Sequence, residues 1–304
     1  MKTARKKHKG DKSELIFYIS LISLPILQVL IFYFYVNINS FTMSFKTYDT
    51  LKDRFKWDGL VNFERLWTEL TKTSILKDAF FNSILVWLST SVLCTFLCIL
   101  FSYYIYKKWF LAKTFKFFLF LPSVLPGILL VIVYKFFANE ALPGYLLEIF
   151  GKTVDPLLIS QKTILPSILF YCVFMGFGGQ LLIYTGSMGQ IAPEIIEAGQ
   201  VDGVTPVREF FSIVLPMILP TISTFLVAQI AGLFTNQAGL YSFFGSKVEY
   251  ENYTIGYYLF ILVNGEGYGK TMYTYASALG LVCTFIAFPL TLLARHFLNK
   301  KEGN

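Results

Sequence analysis

The most informative polar residues of the sequence lie between two long apolar runs, in a stretch from about residue 187 to residue 216. Pro193 suits the first position of a short helix, because an N–H group would have no helical partner there. Glu197 follows beside two small residues, Ala198 and Gly199. Small residues let a partner protein approach closely, and a neighbouring carboxylate can bind a cation of that partner. The pattern therefore predicts a docking surface rather than a catalytic centre.

The same stretch predicts a bend and a second helix. Asp202 and Gly203 favour a turn, after which Thr205 can cap a helix whose first residue is Pro206. We call the first helix, which begins at Pro193, the loop helix. The alternative is an amphipathic helix that lies on lipid headgroups. Such a helix carries basic residues on its polar face, whereas the loop helix carries only acids.

Groups that could perform catalysis are scarce elsewhere. His8 and His296 stand near opposite ends of the chain, so neither can serve a buried site. The four cysteines lie inside apolar runs without the spacing of a disulfide framework or a zinc site. They are Cys94, Cys98, Cys172 and Cys283. The sequence thus favours a protein that is not an enzyme, with no catalytic residue and no metal ligand.

A glycine-rich stretch from Gly265 to Thr271 is similar to a phosphate-binding loop. The spacing fails, because Asn264 stands where that loop needs its first glycine, and no strand precedes it. We interpret the stretch as a turn on the outer side of the membrane, and we expect no nucleotide site in this chain.

The composition excludes an ordinary soluble domain. Hydrophobic residues make up 55% of the chain and charged residues 15%, and the mean hydropathy is +0.58. A run of about 20 apolar residues crosses a membrane, and lipid requires helices because it satisfies no backbone polar group. Six such runs lie near residues 14 to 37, 79 to 106, 117 to 137, 164 to 186, 217 to 244 and 272 to 294. The predicted fold is an all-α integral membrane protein with six transmembrane helices.

Basic residues predict the orientation of this bundle. A cluster of lysines and arginines precedes the first run, which keeps that end in the cytoplasm. The cluster comprises Lys2, Arg5, Lys6, Lys7, Lys9 and Lys12. Six spans return the C-terminus to the same side. We expect cytoplasmic ends at 1–13 and 295–304, a membrane domain at 14–294, and the loop helix as a short cytoplasmic coupling helix between helices 4 and 5.

The net charge of +7 does not indicate a nucleic-acid partner, because the charges are spread over short loops and chain ends. Anionic lipid headgroups are the expected partner. Secondary transporters usually hold ionisable residues near the middle of a span, and we expect none here. Lys135 lies near the outer end of the third run, where its side chain can snorkel. A secondary transporter or channel for a small polar solute is the less favoured alternative.

In the polar stretch the sequence resembles the permeases of binding-protein-dependent ABC importers. Their inner loop carries a spaced motif with a Glu-Ala-Ala start, a later glycine and an Ile-x-Leu-Pro end. The matching residues here are Glu197, Ala198, Gly199, Asp202, Gly203, Ile213, Leu215 and Pro216. Gly199 replaces the second alanine, which keeps the surface small but weakens the helix by about 1 kcal/mol. The segment from Trp57 to Phe63 is also similar to the sugar branch, typified by the maltose and glycerol-phosphate permeases.

The resemblance implies a mechanism and a set of partners. The loop helix would sit in a cleft of a separate ATPase subunit, so that closure of an ATPase dimer moves two permease subunits between inward-facing and outward-facing states. ATP would be bound by that ATPase, and this chain would carry no cofactor. An extracellular solute-binding protein would deliver a carbohydrate, expected to be an oligosaccharide. The second permease is expected to be a related but different chain, in a bacterial plasma membrane.

The resemblance also places the translocation pathway along the fourth and fifth spans. Sugars are held by aromatic faces and by uncharged amides and hydroxyls. The candidate pathway residues are Phe174, Gly176, Gly179, Gln180, Gln229, Gly232, Thr235, Asn236 and Gln237. The alternative for each is a contact between helices, since glycines and amides are common at such contacts.

Overall fold

The computed structural model describes residues 12–265 and 269–302. Five helices are long and apolar enough to cross a membrane, or six if one bent pair is a single span. We number them as span 1 (Glu14–Ser44), span 2 (Ile75–Tyr106), span 3 (Gly127–Phe150), span 4 (Gln161–Gly189), span 5 (Pro206–Met217 with Leu219–Ala231) and span 6 (Gly269–Leu298). The basic cluster before residue 12 and residues 266–268 of the glycine-rich turn lie outside the described residues.

The remaining elements are short and connect the spans. Two antiparallel strands, Lys46–Asp49 and Arg54–Trp57, form a hairpin in which Lys46 pairs with Trp57. The connecting helices are Val61–Lys72, Ala112–Val124, the loop helix Pro193–Val201, Leu240–Phe244, the 3₁₀ turn Tyr250–Asn252, and Ile255–Asn264. Span 6 belongs to a longer helix, Gly269–Glu302. π-helical segments interrupt spans 1, 2, 3 and 5 at Val29–Tyr35, Leu88–Leu93, Phe137–Ala141 and Phe210–Val214.

The third span differs from its predicted position at 117 to 137. Pro126 disfavours helical backbone at the residue before it, and Leu125 accordingly has φ −83° and ψ 147°. The helix Ala112–Val124 therefore ends there, and span 3 begins at Gly127. The prediction that no span holds ionisable residues near its middle is consequently wrong, since Lys135 and Glu140 both lie inside span 3. The Nζ of Lys135 donates a hydrogen bond of 2.9 Å to the Phe243 carbonyl.

The fifth span also differs from its predicted position at 217 to 244. Its two helices meet at a 66° bend at Ile218, which lies between two prolines that cannot donate backbone hydrogen bonds, Pro216 and Pro220. The second helix ends at Ala231, and a turn follows before the short helix Leu240–Phe244. The apolar run continues past residue 231, but its later part packs against neighbouring elements instead of extending the span.

The described residues form two hydrophobic cores. The hairpin-side core joins the start of span 2, part of span 4, the segment from Leu233 to Leu262, and span 6. Hydrogen bonds from Asn82 Nδ2 to the carbonyls of Glu251 and Tyr253 tie span 2 to that segment. The loop-side core joins the second half of span 2, the second half of span 4, the loop helix and the start of span 5, and it is centred on buried residues such as Tyr184.

Candidate functional site

A cavity of about 310 Å³ opens where the two cores meet, between spans 2, 4 and 5. Its lining contains five of the nine predicted pathway residues, together with residues of span 2. The lining residues are Trp87, Thr90, Ser91, Cys94, Cys172, Gly176, Gln180, Gln229, Gly232, Leu233 and Asn236. The lining therefore combines one indole ring with amides, hydroxyls and thiols, and none of these residues carries a formal charge.

Glycine shapes the cavity wall at Gly176. This residue separates the two helical segments of span 4, Gln161–Met175 and Phe177–Gly189. A Cβ atom there would lie 2.7 Å from Cys94 Sγ and 3.0 Å from the Cys172 carbonyl oxygen. Only a residue without a side chain lets spans 2 and 4 approach this closely.

The side-chain amides of the cavity differ in whether other groups of the protein form hydrogen bonds with them. Gln180 Oε1 accepts a hydrogen bond of 3.3 Å from Thr95 Oγ1. The backbone carbonyl oxygen of Gln229 accepts a hydrogen bond of 3.1 Å from Trp87 Nε1. The side-chain Oε1 and Nε2 of Gln229 are buried and bind no group of the described chain. A buried amide without a partner costs free energy, which distinguishes Gln229 from the hydrogen-bonded Gln180 in the same cavity.

Four predicted pathway residues do not line the cavity. Phe174 is 47% exposed and stacks on Phe170 on the surface of span 4. Gly179 faces open space. Thr235 and Gln237 were predicted to lie in span 5, but they belong to the turn that follows Ala231, as Gly232 and Asn236 also do.

Sequence reasoning missed the contribution of span 2. Trp87 and the hydroxyl residues Thr90 and Ser91 line the cavity from the π-helical part of this span and the residue before it. The run Ser89 to Ser91 interrupts an otherwise apolar segment and lies within the π-helical part of the span. Hydroxyl clusters inside apolar spans were the signal that could have identified these residues.

The loop helix forms a second candidate site, at the end of the loop-side core. It begins at Pro193 as predicted, and Glu197 and Ala198 are exposed. Glu197 forms no hydrogen bond or ion pair with the part of the chain that the structure describes. This helix end therefore presents a carboxylate and a small residue to a partner.

The prediction that Gly199 belongs to the same exposed surface is wrong. Gly199 is buried, and a Cβ atom on it would lie 2.9 Å from Ile213 Cδ1. The small size of Gly199 thus serves packing inside the chain, because the loop helix rests on the start of span 5 at this point. Ile213 and Leu215 are partly buried against the loop-side core, and Pro216 precedes the bend of span 5.

The turn after the loop helix has the predicted geometry. Asp202 ends the helix, and Gly203 adopts φ +71°, a conformation that glycine tolerates best. Thr205 Oγ1 accepts a hydrogen bond from the Arg208 backbone N–H, and Pro206 is the first residue of the next helix. The cap and the proline fix the direction in which span 5 leaves the turn.

Glu209 anchors this turn to span 2, and sequence reasoning did not identify it. Its side chain is only 4% exposed and lies 2.9 Å from Lys107 Nζ. The Tyr103 hydroxyl lies 3.1 Å from Glu209 Oε1 and 2.9 Å from the Pro206 carbonyl oxygen. An acid at this position carried no local signal, because its partners lie about a hundred residues earlier in the chain. We call Tyr103, Lys107 and Glu209 the anchor cluster.

Known proteins share this architecture. The multiple sugar-binding transport system permease protein MsmF of Streptococcus mutans is 28% identical over 279 residues, which cover 91% of this chain and 92% of that protein. The probable ABC transporter permease protein YesP of Bacillus subtilis is 26% identical over 86% of each chain. A solved bacterial alginate ABC transporter, in complex with an alginate pentasaccharide-bound periplasmic protein, contains a chain with a TM-score of 0.78 and 21% identity, over 96% of both chains. That structural likeness shows the fold.

A family profile covers the loop helix, the anchor cluster and the cavity residues from Cys172 onwards. The family of binding-protein-dependent transport system inner membrane components matches residues 97–301. Together with the long apolar helices, this match makes the chain a multi-pass membrane protein of a transport system. The chain belongs to the family of binding-protein-dependent transport system inner membrane components.

Proposed function

We propose that the chain is the pore-forming permease subunit of an ATP-driven importer of a carbohydrate, expected to be an oligosaccharide. The observation that carries this proposal is the uncharged cavity with its unpaired Gln229 amide. Sugars present hydroxyl groups that both donate and accept hydrogen bonds, and an amide can satisfy both. The Trp87 indole offers an apolar face for a sugar ring. The names of the relatives, one a sugar permease, support the same substrate class.

The loop helix is the proposed docking site for a separate ATPase. The exposed Glu197 would bind a basic residue of the ATPase, and Ala198 would allow close contact. When two ATPase subunits close on ATP, they would move the loop helix, and Gly199 and the anchor cluster would carry that movement to spans 5 and 2. The bound ATP supplies the energy in the partner, and this chain's residues contribute docking and transmission.

The orientation and the remaining partners follow from this role. The loop helix, and with it both chain ends, would face the cytoplasm of a bacterium whose plasma membrane holds the protein. An extracellular solute-binding protein would deliver the sugar, as in the alginate transporter solved with its periplasmic protein. A second, related permease would complete the pore, as the resemblance to the importer permeases implies.

A secondary transporter fits the contacts less well. The lysine within span 3 is held by the Phe243 carbonyl, and no charged residue lines the central cavity. A coupling ion or proton therefore has no charged group in the cavity on which to bind.

Uptake by the assembled transporter in proteoliposomes tests the proposal. ATP is enclosed, and the binding protein is added outside with labelled neutral oligosaccharides. We expect Gln229→Leu to lower uptake of the transported sugar about tenfold or more, because sugar hydroxyls lose a buried partner. Gln237→Leu is the matched control, since Gln237 lies outside the cavity, and it should leave uptake near the wild-type rate. Equal effects of the two substitutions, or uptake without ATP, would contradict the proposal.

A further inference from the structure

A second cavity, of about 680 Å³, lies at the loop-side end of the bundle and differs in chemistry from the central one. Span 2, the helix Ala112–Val124 and the first turns of span 5 form its walls. Aromatic side chains dominate the lining, among them Phe101, Trp109, Phe115, Phe118, Phe210 and Phe211. Such a surface favours an apolar guest and offers little to a sugar.

Contacts between aromatic rings of the protein hold the walls of this aromatic cavity in place. Phe101 and Phe115 meet edge to face, with ring centroids 5.3 Å apart, and Tyr104 packs on Trp109 at the same distance. The connection that carries Trp109 is bounded by Lys108 and Leu111, two non-glycine residues with φ near +50° to +60°. Packing must hold this turn, because side chains disfavour that backbone conformation.

Three cations lie next to lining residues of the aromatic cavity in the sequence. Lys108 adjoins Trp109, Lys113 adjoins Thr114, and Arg208 adjoins Val207, so each cation is one residue away from a lining residue. All three are exposed. None forms an ion pair within residues 12–265 and 269–302, whereas Lys107 is already bound to Glu209. The segment 107–116 contains no acidic residue.

An apolar cavity with three exposed cations beside its lining residues fits an amphiphile with an acyl chain and an anionic head. We propose that it binds an anionic phospholipid of the cytoplasmic leaflet, with an acyl chain in the aromatic cavity and the headgroup on Lys108, Lys113 and Arg208. The leaflet rests on the orientation proposed above. A protein helix suits the position less well, because it would have to supply several acids at the level of the headgroups.

The lipid would act on coupling through the wall that it touches. Pro206, Val207, Phe210 and Phe211 belong to the start of span 5, directly after the turn that follows the loop helix. The anchor cluster holds the same helix on its buried side. A bound acyl chain would fill the cavity beside Tyr103, which also lines it, and brace the start of span 5 against span 2.

Fluorescence quenching of a single tryptophan tests the site directly. Of the four tryptophans, Trp57, Trp67 and Trp87 are changed to phenylalanine, which leaves Trp109 in the cavity wall. The full-length chain is placed in nanodiscs that contain acyl-brominated phosphatidylglycerol or acyl-brominated phosphatidylcholine at equal mole fractions. We expect the anionic lipid to quench Trp109 at lower mole fractions than the zwitterionic lipid.

Substitution of the cations distinguishes recognition of the lipid headgroup from a general electrostatic attraction between the protein and anionic lipid. Lys108→Gln, Lys113→Gln and Arg208→Gln should each weaken the preference for phosphatidylglycerol, by about fivefold per cation removed. Lys52→Gln, Lys152→Gln and Lys247→Gln, which lie away from the cavity, remove the same charge and should leave the preference intact. Unchanged gel-filtration profiles establish that all variants remain folded.

Three outcomes would overturn the proposal. Equal quenching by the two lipids would mean that the cations do not select a headgroup. Absence of quenching by either lipid would mean that a protein segment covers the cavity. Equal loss of preference in the variants near the cavity and in the variants away from it would mean that only net charge matters. Quenching requires no transport, so its failure would leave the carbohydrate proposal standing, and a failure of sugar uptake would not alter this result.

Discussion

Two glutamates on either side of the turn at Gly203 have opposite surroundings. Glu197, on the loop helix, is exposed and binds nothing in the described chain. Glu209, at the start of span 5, is buried and bound by Lys107 and Tyr103. The same residue type therefore serves two purposes, one at each position. The first half of the loop is open to a partner, and the second half is fixed to the body of the protein.

Under the proposed docking role, this difference explains how the loop would transmit force. If one side chain had to bind both the partner and the body of the protein, the contact with the partner would compete with the contact inside the chain. Here the turn at Asp202 and Gly203 separates the two functions, while Gly199 keeps the loop helix pressed on Ile213. Under the same proposal, a displacement of the exposed half would move span 5. The substitutions below test each half of this comparison, beginning with the largest expected effect on stability.

Removal of the buried acid should be the most damaging change. Glu209→Ala leaves Lys107 without its partner in a largely buried position, which we expect to cost about 3 kcal/mol. Thermal unfolding of the purified protein in detergent measures the loss as a lower transition midpoint. The double variant Lys107→Met with Glu209→Leu removes both charges and should recover most of the stability. An unchanged midpoint for Glu209→Ala would show that the anchor cluster does not hold the turn.

A larger residue at Gly199 should be the next most damaging change. Gly199→Val places methyl groups against Ile213 Cδ1, and such overpacking costs about 2 kcal/mol. Ile213→Ala in the same chain should relieve much of that cost, as the transition midpoints of the two variants will show. Ala198→Val is the matched control, because Ala198 is exposed, and it should leave the midpoint near wild type. If Ala198→Val proves the more destabilising, the assignment of the buried face is wrong.

Loss of one hydroxyl in the anchor cluster should have a smaller effect. Tyr103→Phe removes the hydrogen bonds to Glu209 and to the Pro206 carbonyl but keeps the ring packing on Phe210, so we expect about 1 kcal/mol. The midpoint should fall less than for Glu209→Ala. Tyr104→Phe provides the comparison, since the Tyr104 hydroxyl donates its hydrogen bond to the Phe110 carbonyl and not to Glu209. A fall as large as that of Glu209→Ala would place the anchor at Tyr103 instead.

Local signals predicted much of this loop, and long-range contacts decided the rest. Pro193, Gly203 and the Thr205 cap act within a few residues of themselves, so their patterns were visible in the sequence. The burial of Gly199 depends on Ile213, and that of Glu209 depends on Lys107. The spacing of nearby residues in the sequence indicates neither of these two contacts.

The same distinction applies to the spans and the cavity. The first, second, fourth and sixth apolar runs were found because length alone identifies them. Span 5 was placed too late, because the sequence remains apolar after Ala231, where the chain turns and packs on its neighbours. The amides of the central cavity were predicted through the family resemblance. The contribution of span 2 depends on which face of that helix meets Gly176, and composition does not define that face.

The exposed half of the loop is expected to affect partner binding with almost no effect on folding. Glu197→Lys should keep the transition midpoint of the wild type, because Glu197 has no partner in the described chain to lose. It should abolish binding of the ATPase through repulsion between like charges. Glu249→Lys makes the same change on an exposed segment next to the hairpin-side core and should leave that binding intact.

The most direct test of the account is co-purification from the native membrane of the tagged chain, as wild type, Glu197→Lys and Glu249→Lys, with mass spectrometry of the recovered proteins. The account predicts an ATPase and a second permease with the wild type and with Glu249→Lys, and the loss of the ATPase alone with Glu197→Lys. Recovery of the ATPase in equal amounts with all three forms would contradict the docking role of Glu197. Recovery of no ATPase with the wild type would contradict the importer itself.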